Sequence, residues 1–259
     1  MNPAGALALK VVVTPVLIGA ASLAGRRWGS ALSGWLIGIP FTSAPIVFFL
    51  ALDPGPAFAA RAAEAIMAGA ISQAAFCLAF AWTARRGEWP PALAVATAAY
   101  AVATVALIFV LLSVAGAFVL VIVVLVVALF FMPATSARQD RRSQFPTWDL
   151  PARMLVATAF VVLLTAAAPL LGPRLAGLLA PFPLYGAVLA VFAYRMEGPD
   201  ASIALLRGLL LGLFAFASFF AVLSTLLERD LGLAFAVAIV AAAIVQGATL
   251  VAGRRFGLA

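Results

Sequence analysis

The sequence predicts an all-α integral membrane protein, with nine transmembrane helices arranged as two inverted four-helix repeats joined by a linking helix. Three observations carry this. Hydrophobic residues make up 66% of the 259-residue chain and charged residues 10%, proportions that soluble domains do not sustain. Residues 29–76 align without a gap on residues 172–219, at an offset of 143, and twelve of the 48 positions are identical. Lys and Arg are spread unevenly among the loops. Half of the repeat identities are Gly or Pro: Gly29/Gly172, Gly34/Gly177, Pro40/Pro183, Gly55/Gly198, Pro56/Pro199 and Gly69/Gly212.

A spanning helix needs about 20 apolar residues. The first predicted span, 6–24, begins like a signal peptide: Lys10, an apolar run, then Ser22-Leu23-Ala24. Residues 11–24 align with 154–167 at the repeat offset, so the segment is read as a retained helix. The second span, 34–52, holds Pro40 and Pro45. A re-entrant hairpin there is the competing reading, and it would spoil the charge asymmetry. The third span is 58–82. The apolar run 91–132 would reach about 63 Å as one helix, against a hydrocarbon core of about 30 Å. It therefore divides near Ser113–Gly116 into spans 91–112 and 116–132. The fifth span carries no polar side chain from Phe118 to Met132 and is expected to face lipid while returning the chain across the membrane. The loop Pro133–Pro151 follows, with Trp148 suited to an interfacial anchor. Spans 154–171, 176–194, 203–226 and 233–252 complete the set. Repeat one occupies residues 1–113, the linking helix and loop 114–150, and repeat two 151–259.

Charge sets the orientation. Placing Arg26 and Arg27 inside also places Arg85, Arg86, Arg138, Arg141, Arg142, Arg153, Arg195, Arg207, Arg254 and Arg255 there. Lys10, Arg61, Arg174 and Arg229 remain outside. This positive-inside bias puts the N-terminus outside and the C-terminus in the cytoplasm, in a membrane of bacterial inner-membrane type. Five spans precede the second repeat, so it enters from the opposite side. The net charge of +7 reads as loop bias and not as a nucleic-acid surface. The chain has one cysteine, Cys77, and no histidine. No metal site, cofactor site or nucleophile–base pair follows, and an enzyme is not expected.

The candidate substrate site is Pro40-Phe41-Thr42-Ser43-Ala44-Pro45 and its counterpart Pro181-Phe182-Pro183-Leu184-Tyr185-Gly186. Proline inside a helix removes a hydrogen bond and crowds the preceding turn, so both spans should break near mid-membrane. Breaks at matching places in two halves point to a transport site. Pro40, Thr42, Ser43, Pro45, Pro181, Pro183 and Tyr185 are its candidate residues, with Gln73 as a further buried polar group. The competing reading is that the prolines only shape the bundle. Ala65 and Gly69 in the third span match Gly208 and Gly212 in the eighth, a small-xxx-small pattern that lets backbones approach and predicts packing of those two helices. Glu64 aligns with Arg207, a candidate pair of gates on opposite sides; alternatively both snorkel to the interface, with Glu64 free to pair with Arg61. Ser72, Gln73 and Gln246 either line a pathway or bond helix to helix. No carboxylate lies at mid-depth, so coupling to an ion gradient finds no support.

Gly177-Leu178-Leu179-Ala180-Pro181-Phe182-Pro183, running on through Gly198 and Arg207, resembles the small four-helix inner-membrane proteins of the GlpM family. Ile39-Pro40-Phe41-Thr42 is a looser version in the first half. The resemblance covers about 100 residues per half and implies a membrane fold; this chain is twice as long and adds the linking helix. The expected function is transport by alternating access, with a small organic anion or a phosphate-bearing lipid held between spans two and seven. A channel, or a non-transporting scaffold or accessory subunit, is the alternative. The expected partners are the bilayer and that substrate, with oligomeric state open.

Overall fold

The computed structural model describes residues 15, 16, 35, 40, 43–135 and 149–255. The first predicted span apart from residues 15 and 16, and Thr42 and Trp148, lie outside the described residues. Those described form helices and connecting turns, with no strand among them. In chain order the helices are α1 (Ser43–Leu52), α2 (Pro56–Ala84), α3 (Trp89–Ile108), α4 (Val114–Phe131), α5 (Asp149–Leu179), α6 (Leu184–Glu197), α7 (Pro199–Leu226) and α8 (Leu231–Arg255). Six runs are long and apolar enough to cross a membrane: α2, α3, α4, Met154–Glu197 taken as one run, α7 and α8. The chain is thus built as an integral membrane protein.

The helix pattern departs from nine separate spans. The seventh was expected as one segment, 176–194. Its first part instead belongs to α5, which turns a corner at Gly172 and continues to Leu179, and its second part is α6. The physical cause is the sequence Gly172-Pro173. Proline forces the preceding residue into extended ψ, and a positive φ there requires glycine. Gly172 has φ 75° and ψ 164°. The same device opens α2 at Gly55-Pro56, with φ 108°, and α7 at Gly198-Pro199, with φ 92°. Each proline then starts a helix, where its missing N–H costs nothing.

The centre of the bundle is α2 against α7. In their most apolar stretches 67% and 61% of residues are buried, against 28%, 22% and 17% for α3, α4 and α8. α3 packs on α2, α8 and α6 pack on α7, and α4 touches both central helices. In α2, every residue from Ala59 to Ala74 except Arg61, Glu64, Ala68 and Ile71 is buried, and most of the buried ones are small. Small side chains suit a place where neighbouring backbones come close. α4 reads as apolar all round yet packs on one face only. Ala117, Val121, Leu125 and Ala128 are buried at helical spacing, while Val119, Val126 and Phe130 on the remaining surface are open. Its start is fixed by Ser113, whose side chain accepts from the Gly116 amide at 3.2 Å.

The Gly–Pro corners are testable apart from packing, because a Cβ on Gly55 or Gly198 would meet nothing within 4 Å. Gly55→Ala and Gly198→Ala should each cost about 1–3 kcal/mol through backbone strain alone. Gly247→Ala, in α8 and equally open, should instead gain about 0.5–1 kcal/mol. Chemical unfolding in detergent micelles measures all three; equal stability throughout would mean that the corners relax freely.

Candidate functional site

The break between α5 and α6 spans Ala180 to Pro183 and is built from its two prolines. Pro181 and Pro183 cannot donate to the carbonyls one turn back, so the ladder stops. The chain tightens instead: the Ala180 amide reaches Ala176 O at 3.1 Å and Gly177 O at 3.2 Å, and Phe182 N reaches Leu179 O at 3.0 Å. α6 restarts with Ala187 N on Pro183 O at 2.7 Å. The predicted interruption of span seven is therefore present. Its counterpart in span two is described from Pro40 and Ser43 onward: Pro40 is buried and non-helical, and Ala44 N bonds Pro40 O at 2.8 Å.

Side chains from elsewhere satisfy the carbonyls released at the break. The Tyr100 hydroxyl on α3 donates to Leu178 O at 2.8 Å, and its ring meets Phe182 edge-on at 5.1 Å. Ser43 at the start of α1 donates to Ala180 O at 3.2 Å. The two proline segments thus meet, as their matching positions in the repeat suggested. Tyr100 was not singled out from the sequence, although a tyrosine within an apolar span is a signal: its hydroxyl needs a partner when buried. Pro45, Pro181 and Pro183 are buried and Tyr185 is half-buried, one residue into α6. Gln73 is buried on α2, and its Oε1 has no partner.

The small-residue stripe of α2 also receives the break. An added Cβ on Gly177 would sit 2.4 Å from Ala62 O and 2.6 Å from Ala65 Cβ, and one on Gly69 would sit 2.4 Å from Pro181 Cγ. Ala65 and Gly69 therefore receive the end of α5 and the break. The predicted packing of the two helices that carry the stripes is present, α2 lying against α7; Gly208 and Gly212 are buried on α7.

The proposed gates also resolve into unlike roles. Arg207 lies two turns into α7 and donates to Pro133 O at 2.7 Å and Met132 O at 3.3 Å, at the end of α4. It is held by backbone carbonyls and does not snorkel free. Glu64 lines a small cavity of about 170 Å³ with Arg61 and Arg174. The suggested Glu64–Arg61 pair is not formed: Arg61 Nε donates to Ala57 O at 3.3 Å, within its own helix. Arg174, placed in a loop by the sequence, instead donates to Leu107 O at 2.9 Å and to Val110 O. It neutralises the free carbonyls at the end of α3.

A second, larger cavity, about 710 Å³, lies between α1, α7 and α8. Pro40, Pro45, Phe48, Phe219, Phe235 and Ile239 are among its walls, and Trp35 and Gln246 are its polar side chains. Gln246 Nε2 donates to Trp35 O at 2.9 Å, and Trp35 Nε1 donates to Thr249 Oγ1 at 3.2 Å. Among the described residues no group of three or more His, Cys, Asp or Glu could hold a metal ion. No protein-family model, curated protein or solved structure shows significant similarity to the chain.

The hydroxyl on the break can be removed without changing shape. Tyr100→Phe leaves Leu178 O buried and unpaired, which should cost about 1–3 kcal/mol. Thr97→Ala, which removes an exposed hydroxyl that only bonds its own helix at Leu93 O, should cost under about 0.5 kcal/mol. Unfolding in micelles distinguishes them, and equal costs would remove Tyr100 from the support of the break.

Proposed function

We propose that the chain is a transporter working by alternating access, built as two inverted four-helix units with nine spans and a linking helix, α4. The observation that carries the reading is the interrupted helix at Ala180–Pro183, bonded to Ser43 within the other proline segment at the start of α1. Irregular backbone at that depth, at matching places in two halves, is how membrane carriers form binding sites. Element bounds support the duplication. α2 begins at Pro56 and α7 at Pro199, each after a glycine of positive φ, at the sequence offset of 143. α1 corresponds to α6, and α3 to α8. Four crossings separate α2 from α7: α3, α4, α5 up to its Gly172 corner, and the broken run through α6. If each crosses once, α7 runs antiparallel to α2, as an inverted unit requires. A GlpM-like four-helix ancestor that paired antiparallel and then fused would yield this plan.

Of the two substrate classes drawn from the sequence, the apolar walls of the 710 Å³ cavity favour the lipid over a small organic anion. Positive-inside bias places the Arg85–Arg86 turn and the C-terminus in the cytoplasm of a bacterial inner membrane. One observation favours the scaffold alternative: Tyr100 and Ser43 already satisfy two carbonyls of the break, as a dry packing joint would require.

Thiol labelling separates the two readings. Cys77 is buried, and Cys77→Ala provides a background without thiols. In it, Tyr185→Cys should react with a bulky water-soluble maleimide in intact membranes from one side at rest. Adding substrate lipid should shift that access. Protection from both sides in folded protein, whatever lipid is added, would refute the carrier and leave the scaffold.

A further inference from the structure

We infer that the small cavity near the start of α2 is a head-group site for a phospholipid bearing a primary ammonium, with Glu64 receiving the ammonium and Arg61 the phosphate. The cavity holds about 170 Å³ and lies where α2, the turn from α3 to α4, and α5 just past its Gly172 corner come together. Its charged lining residues are Arg61, Glu64 and Arg174, and the others are apolar. Arg61 and Glu64 stand within the first three turns of α2, close to a helix end and away from mid-depth.

The three charges are not equivalent. Arg174 is committed to Leu107 O and Val110 O. Arg61 is exposed and engages only its Nε, on Ala57 O, so its terminal nitrogens have no partner among the described residues. Glu64 is half-buried, and its carboxylate has neither a hydrogen bond nor an ion pair among the described residues. Residues three apart share a helix face, so an accessible guanidinium and an accessible carboxylate stand side by side, each with capacity left. A carboxylate on a lipid-facing surface is costly unless a cation accompanies whatever covers it.

The opposite signs choose the ligand. A lone phosphate would suit Arg61 and be repelled by Glu64; a lone amine would suit Glu64 and be repelled by both arginines. A head group with ammonium and phosphate a few bonds apart answers both. Size and surroundings make it a lipid. The cavity is smaller than the roughly 300–1,000 Å³ that encloses a whole small molecule, so it takes one end of a larger one. Val110 and Leu112 line it and are 41% and 44% exposed, and Leu111 between them is 81% exposed. Acyl chains can continue over that apolar surface while the head group sits inside.

This site is separate from the 710 Å³ cavity, and its occupancy does not rest on the carrier reading. The test uses the full chain in an uncharged detergent with an equimolar mixture of dioleoyl phosphatidylethanolamine, phosphatidylglycerol and phosphatidylcholine, with bound mass read by native mass spectrometry. The ethanolamine lipid should be preferred roughly tenfold over the glycerol lipid, the ratio expected for one charge-assisted hydrogen bond. It should also exceed the choline lipid, whose nitrogen has no N–H to donate. Glu64→Gln should bring the ethanolamine and glycerol lipids to parity or tip the balance to the anionic one. Arg61→Gln should weaken all three several-fold. Should Glu64→Gln misfold, the choline comparison on the parent chain reads the same contact. Equal binding of the three lipids by the parent, preference for the glycerol lipid, or an ethanolamine preference that survives Glu64→Gln in folded protein overturns the proposal. Glycerophosphoethanolamine, the same head without chains, should not displace the bound lipid at equal concentration; displacement would make a soluble zwitterion the ligand and sink the lipid assignment. None of these readouts uses the Tyr185→Cys labelling, so the carrier and the lipid site can fail separately.

Discussion

Every backbone polar group at membrane depth has to find its partner inside the protein, and the unusual contacts in this fold answer to that constraint. A regular helix satisfies itself. The chain departs from regularity at Ala180–Pro183 and at the ends of α3 and α4, and each departure recruits a side chain from a distant part of the sequence. Tyr100 and Ser43 serve the break. Arg174 serves the end of α3, and Arg207 the end of α4. α3 and α4 pack on α2 in opposite senses, the end of α4 beside Trp82 and the end of α3 beside Arg61, so the two arginines sit at opposite ends of α2. An arginine is apt there because its positive fork faces the negative end of a helix and offers several donors at once. In both, Nε is buried without a partner, so the fit to the carbonyls is made by the terminal nitrogens alone.

The same constraint explains where the small residues went. Without water to drive helices together, association in lipid rests on close packing and interhelical bonds. The segment between the Gly172 corner and Pro183 is a short helical stretch followed by the break, and it gains rigidity by lying directly on α2. Gly177 meets Ala62 and Ala65, and Pro181 meets Gly69, at separations a single methyl group would violate. Close approach and hydroxyl bonding are therefore two halves of one device. The glycines bring the break within reach of α2, and from there Leu178 O is within reach of Tyr100 and Ala180 O within reach of Ser43.

Much of the architecture was legible as pattern. Composition alone fixes the membrane class, and the prolines at 181 and 183 mark the break to the residue. Ser113 marks the start of α4, and the Gly–Pro pairs mark the corners. What could not be read is which surface meets which. The Ala65/Gly69 stripe advertises a close neighbour without saying whether it is α7 or the end of α5. Likewise, Arg174 and Arg207 look like interfacial charges until the carbonyls they bind, 67 and 74 residues away, are in view. Glu64 and Arg207 illustrate the limit of repeat logic. They align in the sequence, yet one lines a small cavity with two arginines and the other closes a helix end, so aligned positions do not by themselves predict what a side chain touches.

Gln73 and Gln246 mark where the constraint is met only in part. Both are buried glutamines whose Oε1 lacks a partner, in an environment where an unpaired acceptor is not rescued by solvent. Gln246 borders an apolar space large enough for a ligand, and its amide is pinned by Trp35. The Nε2 contact joins α8 to Trp35, and the unpaired Oε1 is the other end of the same amide.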